Sequence, residues 1–294
     1  MTCKPAPEAA RRAYAIRTAC HLLLANEVKT LPPDPAAMAR GMGYGLISIR
    51  EAEKRKRQRE AERTGSRVPA EESPACSPMM PQDGEEAYTL AAGKQYLIAY
   101  DDRVENRDRI RFSIFHELGH IQLGHFEDWN LEELEEGPRR VLEEEANIFA
   151  RNVLCPPPVL ERIRGDWRDP KWARLFCMSD SAWKVRRETM AVDMKLVEPE
   201  LAERIRIQFR EYMYGRRCRD CGTVFTDEES RGRCPVCGSK YLAWNPQMES
   251  MIQAAEHRHP AGATAEDLKP LPEGGAREDL AAYWRQVRRE RKQS

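Results

Sequence analysis

Between residues 7 and 28 the side chains of Ala13, Ile16, Cys20, Leu23 and Leu24 recur at helical spacing, marking an amphipathic helix with one buried face. Asp34 followed by Pro35 has the form of an N-cap and a first-turn proline, and Gly41 and Gly43 end the short helix it opens. YGLISI, 44–49, reads as a strand. AYTLAAGKQYLIAYDD, 87–102, carries two apolar, aromatic-bearing runs around Ala-Gly-Lys, the pattern of a β-hairpin. Its second strand leads into a helix capped by Asn106 or Asp108, in which Ile110, Ile114, Phe115, Leu118 and Ile121 form an apolar stripe. Gly137-Pro138 opens a further helix through VLEEEANIFARNVL, which Pro156, Pro157 and Pro158 stop. Helices at 170–177, 180–190 and about 198–213 follow. The elements predict an α+β chain in which helices dominate a small sheet.

From Arg50 to about Glu86 the pattern gives way to charge runs and then to Ser, Pro and Gly, with little to bury. This segment is expected to be a partly helical, mostly disordered insertion. Acids interspersed among its lysines and arginines favour a solvated segment over a nucleic-acid-binding arm. With 294 residues, 33% of them charged, and a mean hydropathy of −0.73, one main domain with appendages is expected. Lys+Arg and Asp+Glu stand at 48 each, so net charge selects no partner class. The apolar run Ala19–Ala25 is too short to span a bilayer, and a soluble cytoplasmic protein with no membrane partner is expected. Of nine cysteines, four form two CxxC pairs, a pattern of metal binding in a reducing compartment. Cys3, Cys20, Cys76, Cys155 and Cys177 are scattered and read as buried or idle thiols.

The candidate chemistry begins in FHELGHIQLGHF, residues 115–126. Four residues of helix separate His116 from His120, which places both imidazoles on one face where they can converge on a zinc ion. Glu117 projects beside them as the expected general base. His125 is tempting as a third ligand, but in an HExxHxxGxxH motif the glycine and last histidine would fall at Leu123 and Phe126. If the helix continued, His125 would also point away from His116, so it reads as a helix-end residue. A carboxylate serves equally well, and EEEAN supplies candidates: Glu143 is preferred, Glu145 is the reserve, and Glu144 reads as solvated. Glu143 and Asn147 share a face with Ala146 and Ala150, whose small side chains allow two helices to approach closely. Nine acids against two arginines between Glu127 and Glu145 add a negative field that favours cation retention.

RFSIFHELGHIQLGH followed by EEEANIFARNVLCPP resembles the ImmA/IrrE family of zinc metallopeptidases, whose pattern is roughly RFTxxHELGH and then ExxANxFAxxLLxP. The resemblance runs over about residues 10–190, with the segment 50–86 as the main departure. It implies a zincin-like helical core, His116, His120 and Glu143 as ligands, and Glu117 as general base. Members of the family cleave helix-turn-helix repressors, so it also implies a regulatory endopeptidase with a protein substrate. The substrate is expected to add as a strand beside YLIAY, 96–100. Tyr96, Tyr100 and Arg111 lie near in sequence, but packing or surface roles are expected for them.

DPKWARLFCMSDSAWKVRRETM, 169–190, looks like a DNA-reading helix-turn-helix, yet Trp172, Leu175, Phe176 and Trp183 read as core, which favours a helical extension of the peptidase. CRDCG and CPVCG place Cys218, Cys221, Cys234 and Cys237 where they can close a tetrahedral structural site, a zinc ribbon. Its arginines and lysine are compatible with nucleic acid or an acidic protein surface. The expected organisation is a metallopeptidase domain at 7–215, a ribbon at 216–245 and a polar tail at 246–294, with one catalytic and one structural zinc. The rival readings are a SprT-like protease acting on DNA-bound proteins, which would need a later histidine ligand, and a non-enzymatic DNA-binding regulator.

Overall fold

The computed structural model describes residues 8–64, 86–129, 134–163, 168, 171–226 and 232–244. Helix α1 (Glu8–Ala25) follows the expected periodicity and buries Ile16, Ala19, Cys20, Leu22 and Leu23 completely. Asp34 caps α2 (Pro35–Gly41) by accepting the amide of Ala36, and Gly43 takes a positive φ just past its end. Strand β1 (Gly45–Ser48) runs into α3 (Ile49–Thr64), where Ile49 and Ala52 are buried and Glu51 pairs with Arg55 one turn later. The helical part of the charged segment is therefore seen, while its Ser/Pro/Gly part lies outside the described residues.

The hairpin forms as read, with β2 (Ala87–Ala92) antiparallel to β3 (Gln95–Tyr100) and Gly93 in the turn at positive φ. Strand β1 pairs in parallel with the other side of β3, which gives the order β1-β3-β2. This corrects one expectation. Residues 96–100 belong to the central strand, whose backbone groups are taken up on both sides, so no substrate strand can be added there. Among the described residues, the edge open beside the hairpin is that of β2.

Asn106 opens α4 (Arg107–Gln122) by accepting the amides of Asp108 and Arg109, and the predicted stripe from Ile110 to Ile121 is buried. The helix does not continue to His125. Leu123 ends it, Gly124 takes φ +78°, and the four-residue turn α5 (His125–Asp128) starts in a new direction. Helix α6 (Glu136–Leu154) begins one residue before Gly137 and ends where Pro156 stops it; Pro157 and Pro158 then open the short turn α7 (Pro157–Leu160).

Beyond these, α8 (Lys171–Leu175) and α9 (Asp180–Lys195) stack Trp172 on Phe176 and Phe176 on Trp183, all three buried. The aromatic side chains are thus spent on packing, as expected of a helical extension. Asp193 ties this layer to the core: fully buried, it meets Arg12 and Arg186 at 2.7 Å each and accepts from Asn152 at 3.3 Å. The long helix expected at about 198–213 is two, α10 (Pro199–Gln208) and α11 (Arg210–Tyr214). Phe209 leaves helical geometry between them, with its ring fully buried. A second small sheet, with β4 (Gly215–Cys218) between β5 (Val224–Thr226) and β6 (Leu242–Trp244), carries the paired cysteines. The polar tail lies outside the described residues. The whole is α+β, and among the described residues no helix is long and apolar enough to cross a membrane.

Helices α4 and α6 make the most extensive helix pair among the described residues, and Gly119 sits where they approach closely. A Cβ there would lie 3.0 Å from a ring carbon of Phe149, 3.2 Å from Ala146 Cα and 3.3 Å from the Ala146 carbonyl oxygen. Two of the three neighbours are backbone, which cannot turn aside as a side chain can. Gly119→Ala is expected to destabilise the protein by about 1–3 kcal/mol, although alanine favours an isolated helix by about 1 kcal/mol. Denaturant unfolding monitored by circular dichroism measures the difference.

Candidate active site and metal centres

The close packing of α4 on α6 delivers one cluster of polar side chains into the cleft beside β2. His116 and His120, one turn apart on α4, turn their Nε2 atoms to within 3.0 Å of each other. From α6, Glu143 presents Oε2 at 3.0 Å from His116 Nε2 and Oε1 at 3.6 Å from His120 Nε2. The donor atoms of all three lie within 4.8 Å of one another. Ligands held tetrahedrally about 2.05 Å from zinc stand roughly 3.3 Å apart, so this convergence fits a two-histidine, one-carboxylate set. Glu145 does not join the group: its carboxylate is buried and accepts from His125 Nε2 at 3.0 Å.

Sequence reasoning left the supports of these side chains unassigned. His116 Nδ1 lies 3.0 Å from Asn147 Oδ1; donating its proton there, the ring leaves its Nε2 lone pair facing Glu143 and His120. Asn147 was visible only as a residue on the face of Glu143. Glu117, half-buried, accepts a hydrogen bond of 2.6 Å from the Thr89 hydroxyl, which holds its carboxylate against the edge strand β2. No pattern in the sequence links Thr89 to Glu117, because only the folding of the hairpin over α4 brings them together. His125 is the larger surprise. The break at Gly124 turns it inward, fully buried, with Nδ1 3.0 Å from His120 Nδ1.

The two imidazoles of the cluster respond differently to their surroundings. Burial opposes protonation of both imidazoles; at His116 the Glu143 carboxylate, helped by Glu117 and Asn147, outweighs it and the pKa rises. At His120 burial prevails and the pKa falls to about 4. Burial would raise the carboxyl of Glu143, yet the two imidazoles hold it far below the usual carboxylate range. Of the other residues near the motif, Arg111 is buried and donates to the Pro33 carbonyl at 3.0 Å. Tyr96 packs between Tyr44 and Phe126, and Tyr100 lies half-buried in the central strand.

The second cluster is formed by Cys218, Cys221, Cys234 and Cys237, whose sulfurs also lie within 4.8 Å of one another. The Cys218–Cys237 and Cys221–Cys234 separations of 3.5 and 3.6 Å approach the roughly 3.8 Å between thiolates around a zinc ion at about 2.3 Å. Gly222 and Gly238 take φ +75° and +74°, which closes each CxxCG turn by an amide hydrogen bond back to the first cysteine's carbonyl. The Thr223 hydroxyl and amide draw the Cys221 thiol down to about 6, while at Cys237 the Ser239 amide is outweighed by the other cysteines, which push that thiol up to about 12. Cys20, Cys155 and Cys177 are buried single thiols, as expected, while Cys3 and Cys76 lie outside the described residues.

Residues 76–210 match the family model Peptidase_M78, described as an IrrE N-terminal-like domain, so the resemblance read from HELGH and EEEAN is borne out over that stretch. It makes this part of the chain similar to metallopeptidase-type hydrolases, for which a metal and a protein substrate are implied. Neither the curated proteins nor the solved structures give a significant match. Metal analysis of the purified chain is expected to find two zinc ions, one lost in His116→Ala and the other in Cys221→Ser. A single ion that survives His116→Ala would contradict the α4–α6 site.

Proposed function

We propose, on the premise of a Peptidase_M78-like domain, that the protein is a regulatory zinc endopeptidase acting on a helix-turn-helix repressor or a protein like it. The observation that carries the reading is the convergence of His116, His120 and Glu143 with Glu117 beside them at the open edge of β2. His116, His120 and Glu143 would hold the catalytic ion, and the four ribbon cysteines a structural one. Zinc in a site of this kind supplies Lewis acidity, lowering the pKa of a water to about 7 and polarising a carbonyl.

The protein's own residues do the remainder. An extended substrate segment adds to the edge of β2 by main-chain hydrogen bonds, which lays its scissile bond along the histidine face of α4. Glu117 takes the proton of the attacking water and passes it to the leaving amine. Thr89 keeps the carboxylate of Glu117 aimed while the proton moves, and because Thr89 belongs to β2, the strand that binds substrate also positions the base. The SprT-like alternative calls for a later histidine ligand, whereas α6 brings Glu143 to the site. The regulator reading would put the ribbon and the α8–α9 pair on DNA through Lys184, Arg186 and Arg187, and of these Arg186 is fully buried against Asp193.

Co-expression with candidate helix-turn-helix repressors, read by immunoblot, tests the proposal. Glu117→Gln is expected to lower cleavage by at least about 100-fold, and Thr89→Val by roughly tenfold, the worth of one hydrogen bond to a charged group. Cleavage unchanged in Glu117→Gln would remove that residue from its role.

A further inference from the structure

His125 and Glu145 lie outside the proposed ligand set, yet both are buried and His125 touches it. Glu145 is 3% exposed, His125 not at all, and the pair is spaced at 3.0 Å from Glu145 Oε2 to His125 Nε2. His125 in turn stands 3.0 Å from His120, nitrogen Nδ1 to nitrogen Nδ1. Arg11 of α1 approaches the same carboxylate at 3.6 Å. With Glu145 ionised and His125 neutral, hydrogen-bond polarity along this row has one consistent assignment. A carboxylate only accepts, so His125 Nε2 donates to Glu145. A neutral His125 then has a bare Nδ1, which accepts the proton on His120 Nδ1. His120 is left with its lone pair on Nε2, the atom that faces His116 and Glu143.

We infer that Glu145 and His125 are positioning residues that fix the tautomer and orientation of His120 for metal binding, a two-residue relay running from α6 through α5 into α4. The inference rests on the catalytic-zinc reading and extends it. Asn147 does the same for His116 in a single step. Glu143 and Asn147 reach His116 directly from α6, whereas the buried Glu145 meets His125, which in turn meets His120. Second-shell partners of this kind typically change metal affinity 10–100-fold. The break at Gly124 also acquires a purpose, since a straight continuation of α4 would carry His125 away from His120.

The test uses the full zinc-loaded chain. Two-bond ¹H–¹⁵N correlation spectra of histidine-labelled wild type are expected to show His125 protonated at Nε2 and His120 at Nδ1; His125 protonated at Nδ1 would overturn the inference without any mutation. Competition with a fluorescent zinc chelator gives the second readout. His125→Leu is expected to weaken the α4–α6 site 10–100-fold, while His125→Asn, whose Oδ1 can take the place of Nδ1 as acceptor, restores most of the affinity. The ribbon site should be unaffected in both, which separates loss of positioning from loss of fold. If His116→Ala removes one zinc but His125→Leu binds both ions as tightly as wild type, the relay is wrong and the zinc site stands. If His116→Ala leaves the zinc count unchanged, the zinc site itself is wrong, and the relay falls with it.

Discussion

The contact on which everything else depends is the approach of α4 to α6 across Gly119. At that point the backbone of one helix meets Ala146 and the ring of Phe149 on the other with no room for a methyl group. Because the helices come so close, side chains within one turn of the contact reach across the gap. His116 and His120 come from one helix, Glu143 and Asn147 from the other. A bulkier residue at 119 or 146 would separate the axes, and three donors would no longer share a point. Packing and chemistry are here the same constraint, since the small residues that allow the approach lie within the two motifs that bear the polar groups.

Around that contact the fold separates charge by depth. Asp193, Arg12, Arg186 and Asn152 form a buried network on the far side of α6, binding α1 and α9 to it. A buried network of this type stabilises little relative to an apolar core but is costly to break, which suits a scaffold that must hold one helix in a single rotational setting. The opposite side of α6 presents Glu143 to the cleft, where burial and the imidazoles keep His120 deprotonated near neutral pH and Glu143 ionised. The edge strand β2 completes the site through Thr89, and so couples the base to an edge of the sheet.

Much of this was legible because it depended on local periodicity. The amphipathic stripe of α4, the cap at Asn106, the hairpin at 87–102 and the Asp34-Pro35 start of α2 all follow from spacing and cap chemistry. The two metal-type clusters were legible for the same reason, each being built from short motifs. What was misread depended on the path of the chain beyond a motif. His125 was read as a helix-end residue, and it does follow the end of α4; its burial beside His120 went unseen because it rests on Gly124 turning the chain at positive φ. The strand at 96–100 was taken as an edge because parallel pairing with β1, about fifty residues earlier, leaves no local trace. Thr89 went unnoticed because its role arises from a hairpin folding over a helix, and the break at Phe209 because no glycine or proline marks it.

Anomalous diffraction at the zinc edge from crystals of the full chain probes the proposed zinc site between α4 and α6. An anomalous peak is expected bonded to His116 Nε2, His120 Nε2 and a Glu143 oxygen at about 2.0–2.2 Å, in addition to one among the four cysteines. A peak among the cysteines alone, from protein grown with zinc in excess, would contradict the α4–α6 site.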